Sequence, residues 1–364
     1  MKPIYEPYRP HQPDHGPTGG CWGAGANATR LLRPTVCAEG AFVSKQTKID
    51  WTDQTWNVFI GCTPISAACE HCYAAREEDG RFRRLGRCIP QHGLRYAAAM
   101  ARVTLHGKYF FRGPVRQGED KIFDPLSWSG NRMVFVCPRS DLFHESIPFE
   151  QIDQVFAIMA MRQDLTFQVL TKRSARRLEY MKLRAVNAGV NAGWYQTCTD
   201  WLDQGVHGPL GRHWDRCHES LEQIDLAKPL PNVWQLTTIW DQASADAEIP
   251  LLLQTPAAIR GVSIEPILGP VKLKYDRGDW CFDYFNGTKF VQDCDSTDAD
   301  NWGKLDWVIA GGESGPGARP AHPDWFRELR YECGVAGVPF FFKQFRRPAR
   351  TLLGSRDGDR AGRQ

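Results

Sequence analysis

Six short, nearly uninterrupted apolar runs constrain what this chain can fold into: MVFVCP (133–138), TFQVLTK (166–172), VWQLTTI (233–239), IRGVSIE (259–265), LDWVIAG (305–311) and VPFFFKQ (338–344). A strand with one face in water alternates polar and apolar residues. A run without that alternation suits a strand covered on both faces, as in a parallel sheet. Amphipathic stretches lie between the runs. FEQIDQVFAIMAMRQ (149–163) sets Ile152, Val155, Phe156 and Met159 at helical spacing, and PDWFRELRYECGVAG (323–337) closes on glycine, as helices commonly do. Strand and helix alternating in this way predict βα units. With six or more units, an α/β fold built as a parallel (β/α) TIM-type barrel, closed or partial, is expected over an open sheet.

Polar residues bunch at the C-terminal ends of these runs. SDLFHES follows the first, KRS the second, WDQ the third, EPILGP the fourth, GGESGPGARP the fifth and KQF the sixth. In parallel α/β folds that edge carries the chemistry. Three polar, Gly- and Trp-containing stretches interrupt the rhythm at about 77–130, 181–231 and 274–303, and read as insertions that either cap a substrate or elaborate the surface. Residues 1–46 read as an irregular N-terminal extension, 47–346 as the barrel domain, and 347–364 as a basic flexible tail. No window approaches a membrane span, and the Pro- and Gly-rich start lacks the apolar core of a secretory signal. A cytoplasmic protein with no membrane partner is expected. The net charge of +3 does not by itself demand a nucleic-acid partner, although the basic tail could touch phosphates.

In an intracellular chain of this length the 12 cysteines should be mostly free thiols, with clustered ones metal or catalytic candidates. One cluster exists. GCTPISAACEHCYAAR (61–76) places Cys62, Cys69 and Cys72 in a loop between strand-like WNVFI and a helical start. Three thiolates suit a [4Fe–4S] cluster with one iron left open to a small molecule. That arrangement delivers an electron to S-adenosylmethionine for radical chemistry. A structural zinc wants four ligands, which His71, Cys88 or His92 would complete. Buried structural cysteines are the third reading.

KIDWTDQTWNVFIGCTPISAACEHCYAAR, SDLFHESIP, FQVLTKR, IPLLLQTPAAIRGVSIEPILGPV and LDWVIAGGESGPGARPAHPDWFRELRYECGVAGVPFFFKQF, in that order, resemble the phage-associated family of unknown function named after phage gene products thirty-seven and sixty-eight. The resemblance runs from about residue 47 to 346. It implies a radical-SAM-like barrel with a three-cysteine cluster loop. The chain departs from the family at VWQLTTIWDQ, where Leu236 and Trp240 replace a glycine and an acidic residue.

Under that reading Cys62, Cys69 and Cys72 are the metal ligands. Lys172 and Arg173 are cations for the cofactor's carboxylate, Ser140 and Asp141 meet its ribose or amine, and Glu313 sits in a glycine-rich loop that a cofactor can approach closely. Glu265, leaving a strand at the barrel mouth, and Lys343, ending the FFF run, are catalytic candidates together with Tyr73. His144 is either a proton donor or structural. The function expected is a radical S-adenosylmethionine enzyme that abstracts hydrogen from a substrate, with a nucleic-acid base as one such substrate, extruded or single-stranded. Flavodoxin or ferredoxin would supply the electron. The alternative is a non-catalytic zinc or nucleic-acid-binding protein on a barrel scaffold. A metal-independent hydrolase or lyase using Glu265, Glu313 and Lys343 is a third.

Overall fold

The computed structural model describes residues 47, 49–77, 101–103, 109–111, 115–117, 121–185, 193–278, 280–291, 303–315 and 317–345. The expected N-terminal extension and basic tail lie outside them.

Seven strands form one all-parallel sheet whose spatial order is the chain order: β1 (Gln54–Trp56), β2 (Met133–Val136), β3 (Thr166–Thr171), β4 (Val233–Ile239), β5 (Ile259–Ile264), β6 (Trp307–Gly311) and β7 (Phe340–Gln344). Helices return the chain between them: α1 (Phe149–Met161) after β2, α2 (Ser174–Tyr180) after β3, then α3 (Gly193–Asp203) and α4 (Trp214–Glu222) before β4, α5 (Gln242–Leu253) after it, and α6 (Pro323–Ala336) before β7. Capping fixes the helix limits. Asp241 and Ser244 exchange bonds in a capping box at the start of α5, and Gly337 ends α6 at φ +68°, a conformation glycine adopts at no steric cost.

The sheet curls. The rings of Trp51, just before β1, and Trp307, on β6, lie 6.0 Å apart, whereas five flat strand spacings would put them roughly 24 Å apart. Among the described residues neither β1 nor β7 has a partner on its outer side, so the result is a half-barrel, a partial TIM-type fold.

Inward-facing residues follow the two-residue period of each strand and grade from large to polar. On β4 they run Trp234, Leu236, Thr238; on β5 and just beyond it, Gly261, Ser263, Glu265; on β6, Trp307, Ile309, Gly311; on β7, Phe341, Lys343. Trp51, Phe135, Leu236 and Ile309 therefore form an apolar plug, and the C-terminal end of the barrel is left polar. Leu236 of VWQLTTIWDQ belongs to this plug. Outward-facing residues of β2 and β3 pack with α1, α3 and α4, and those of β5 and β6 with α5 and α6.

Two expectations change. WNVFI is not one strand: the sheet takes Gln54–Trp56, and Phe59–Ile60 pairs instead with Arg116–Gln117. VPFFFKQ is not covered on both faces, because it forms the sheet edge and leaves Phe342 40% exposed. The described residues of the 181–231 stretch elaborate the outer layer, where α3 and α4 bury Trp194, Cys198, Cys217 and Leu221. In the 274–303 stretch, Lys274–Arg277, Trp280–Asp283 and Thr288–Val291 form a small antiparallel sheet. Much of 77–130 lies outside the described residues.

Candidate functional site

A cavity of about 180 Å³ opens at the C-terminal end of the half-barrel. The cysteine loop is one wall. It leaves the strand region at Gly61, whose φ is +105°, and it is tied down by the end of β2, since Ser140 donates its hydroxyl to the Gly61 carbonyl at 2.7 Å. A short 3-10 turn, Ala67–Cys69, follows, and residues 73–77 are helical. Cys62, Cys69 and Cys72 are free thiols that all line the cavity.

The three sulfurs differ electrostatically. Burial pushes the Cys62 thiol up to about 12, with Asp141 adding to the rise and Arg173 opposing it. Burial also raises Cys72. At Cys69 burial again acts upward, but Lys172 and hydrogen bonds from Ser66 and the Ile65 and Ser66 backbone outweigh it and bring the thiol below its ordinary value. Cys69 is thus the thiol most readily ionised of the three.

Arg173 and Asp141 form the second wall. The Arg173 guanidinium is engaged on every side: Nε donates to both Glu145 oxygens at 2.8 and 2.9 Å, Nη1 to Cys62 Sγ at 3.6 Å and Asp141 Oδ2 at 3.3 Å, and Nη2 to the Thr63 carbonyl and hydroxyl at 3.1 and 3.2 Å. Burial acts against its charge, yet Asp141, Cys62 and Glu145 hold its pKa above the ordinary value. Asp141 accepts from the Phe143 and Lys172 backbones and from the Thr171 hydroxyl at 3.0, 3.0 and 2.6 Å. Both residues line the cavity, but their polar groups are spent on bracing β2, β3 and the cysteine loop. Lys172 is different, for its ammonium makes no hydrogen bond or ion pair among the described residues.

The strand ends supply the third wall. Lys343 Nζ stands 2.8 Å from Glu265 Oε1, and the Ser263 hydroxyl donates to Glu265 Oε2 at 3.0 Å. Glu313 accepts from Arg319 through the backbone N–H, Nε and Nη2 at 2.8, 3.1 and 2.6 Å. Tyr73 is half-buried, desolvation raises its phenol well above the ordinary value, and its O–H donates to the Pro138 carbonyl at 3.2 Å.

Every residue expected from the sequence at this site, namely Cys62, Cys69, Cys72, Tyr73, Ser140, Asp141, Lys172, Arg173, Glu265, Glu313 and Lys343, lines this one cavity. His144 does not. Its Nδ1 accepts from the Ser146 backbone N–H at 3.1 Å, so Nε2 is the protonated nitrogen that donates to the Thr63 hydroxyl at 2.9 Å. It is a structural support for the cysteine loop. The WDQ segment also stays outside, because Asp241 caps α5. Sequence reasoning missed Arg319 and Thr238. Thr238 is 1% exposed, lines the cavity, and has a hydroxyl without a hydrogen-bond partner among the described residues. His71, another lining residue, has a buried Nδ1 likewise unpartnered.

Among the described residues no three His, Cys, Asp or Glu side chains are gathered closely enough to hold one metal ion. Cys88 and His92 lie outside them. No described helix is long and apolar enough to cross a membrane.

One family model, described as "Protein of unknown function (DUF5131)", matches residues 46–364. The chain belongs to that family. No curated protein and no solved structure matches this DUF5131 chain.

Proposed function

We propose that this chain is a radical S-adenosylmethionine enzyme whose cluster is held by Cys62, Cys69 and Cys72. The observation that carries the reading is the convergence of three free thiols and one uncommitted ammonium, Lys172, on a single cavity at the C-terminal end of a parallel half-barrel. The donor set fits the group. A lone zinc needs its donors about 2.3 Å from one point, whereas a cluster takes one thiolate per iron and so spreads its cysteines. When bound, the cluster and cofactor supply one-electron reductive cleavage and hydrogen abstraction.

The chain's own residues bind and orient. Arg173 and Asp141 brace the Cys62 end of the loop. Lys172 takes the cofactor's carboxylate as a charge-assisted partner. Thr238 offers a buried hydroxyl that gains a bond only when a ligand arrives. Glu265 and Lys343 present an acceptor and a donor side by side, suited to a substrate with both on one edge, such as a nucleobase. Tyr73, Ser140 and Glu313 hold the walls in place. A flavodoxin or ferredoxin is the electron donor this chemistry requires.

One observation favours the second reading, a zinc protein: the unpartnered Nδ1 of His71 beside the cysteines. Anaerobic purification separates the two. Brown protein carrying iron and sulfide supports the first, and colourless protein carrying zinc supports the second. Cleavage of S-adenosylmethionine by the reduced protein then tests the cofactor.

A further inference from the structure

The half-barrel has no strand pairing between β1 and β7 among the described residues, so side chains must join the cysteine loop to the far strand ends. Arg319 does this. Its guanidinium is fixed by Glu313, whose side chain is only 4% exposed. The same Nη2 that bonds Glu313 also donates to the Ala67 carbonyl at 3.0 Å, and Nη1 lies 3.7 Å from Glu70 Oε2. Ala67 and Glu70 bracket Cys69. A second tie runs nearby, where Arg76 Nη1 donates to the Ser314 carbonyl at 2.9 Å.

Multidentate pairing with a buried carboxylate fixes the plane of the guanidinium, so the reach to Ala67 and Glu70 is preset and not one rotamer among many. We propose that Arg319, oriented by Glu313, is a positioning residue that holds the Cys69 turn against the cavity, as Arg173 holds Cys62. The role in metal loading rests on the reading of the three cysteines as cluster ligands. The role in fixing the turn does not.

Two readouts keep these apart: alkylation of each thiol in the metal-free protein by iodoacetamide, resolved by mass spectrometry, and iron and sulfide content after anaerobic reconstitution. Arg319→Ala leaves Glu313 buried without its partner and could unfold, so the paired variant Glu313→Gln/Arg319→Gln, which is neutral and too short to reach Ala67, is measured beside it. Local opening predicts that Cys69 is alkylated about tenfold faster in both variants, with Cys62 and the core thiol Cys333 unchanged. Iron content falls to less than half of wild type, and Arg319→Lys recovers part of both effects. An unchanged Cys69 rate with Cys333 still protected overturns the proposal. So does acceleration of Cys333 together with Cys69 in both variants, which signals general unfolding. If the wild-type protein takes up no iron and sulfide, the cluster reading fails while the alkylation rates still decide the clamp.

Discussion

Lys343 Nζ lies 2.8 Å from Glu265 Oε1, an ion pair that joins β7 to the end of β5 across the intervening β6. Both side chains are mostly buried, at 24% and 15% exposure, so each depends on the other. Lys343→Met leaves the carboxylate, among the described residues, with only the Ser263 hydroxyl. A loss of about 1–3 kcal/mol is expected, read from urea unfolding. Adding Glu265→Gln should recover much of it, because the stranded charge is then gone.

The pair crosses β6 at Gly311, where a Cβ would stand 2.8 Å from Glu265 Oε1 and 3.2 Å from Lys343 Cβ. Gly311→Ala is therefore expected to cost about 1–3 kcal/mol by overpacking and to unseat the pair. Thermal unfolding checks the first effect. The second predicts that Gly311→Ala costs less in a Glu265→Ala background, where the 2.8 Å contact is gone.

Much of this site was legible in the sequence, and the exceptions have physical causes. Polar residues in SDLFHES, KRS, EPILGP, GGESGPGARP and KQF did mark cavity walls, because parallel strands send their C-terminal ends to one side. WDQ misled because Asp and Ser serve equally well as helix caps, which is what Asp241 and Ser244 do. Thr238 was hidden as an ordinary strand former, although the inward series Trp234, Leu236, Thr238 is the signal that finds it. The first strand was set too late because an edge strand needs only one partner and no long apolar run. Arg319 was out of reach, since its role is a contact between loops 252 residues apart.

Thr238→Val separates stability from binding. Removing a buried hydroxyl that has no partner among the described residues should leave the ligand-free protein equally stable, or up to about 1 kcal/mol more stable. The affinity for the cavity's ligand should fall. Melting temperatures without and with S-adenosylmethionine measure both, and a stable variant with wild-type stabilisation by the ligand would remove Thr238 from the site.

His144 gives the protein an acid limit. Burial lowers its pKa, Arg173 and Arg176 act in the same direction, and Glu145 and Asp141 oppose them. The folded form thus binds its proton less readily than the unfolded chain, whose imidazole titrates near about 6.5. The contribution to stability is full above that value and is lost as pH falls from it through the depressed folded pKa. His144→Gln should flatten the dependence of the melting temperature between about pH 7 and pH 5.5. An equally steep slope in the variant would assign the acid sensitivity to other groups.

The most direct test of the three-thiol centre is iron and acid-labile sulfide per chain in anaerobically reconstituted wild type and Cys69→Ala, with reductive cleavage of S-adenosylmethionine measured on the same samples. The account predicts about four irons and four sulfides in the wild type, cleavage of the cofactor, and loss of both in the variant. Wild-type protein that holds zinc without iron, or an iron content that Cys69→Ala leaves unchanged, would contradict it.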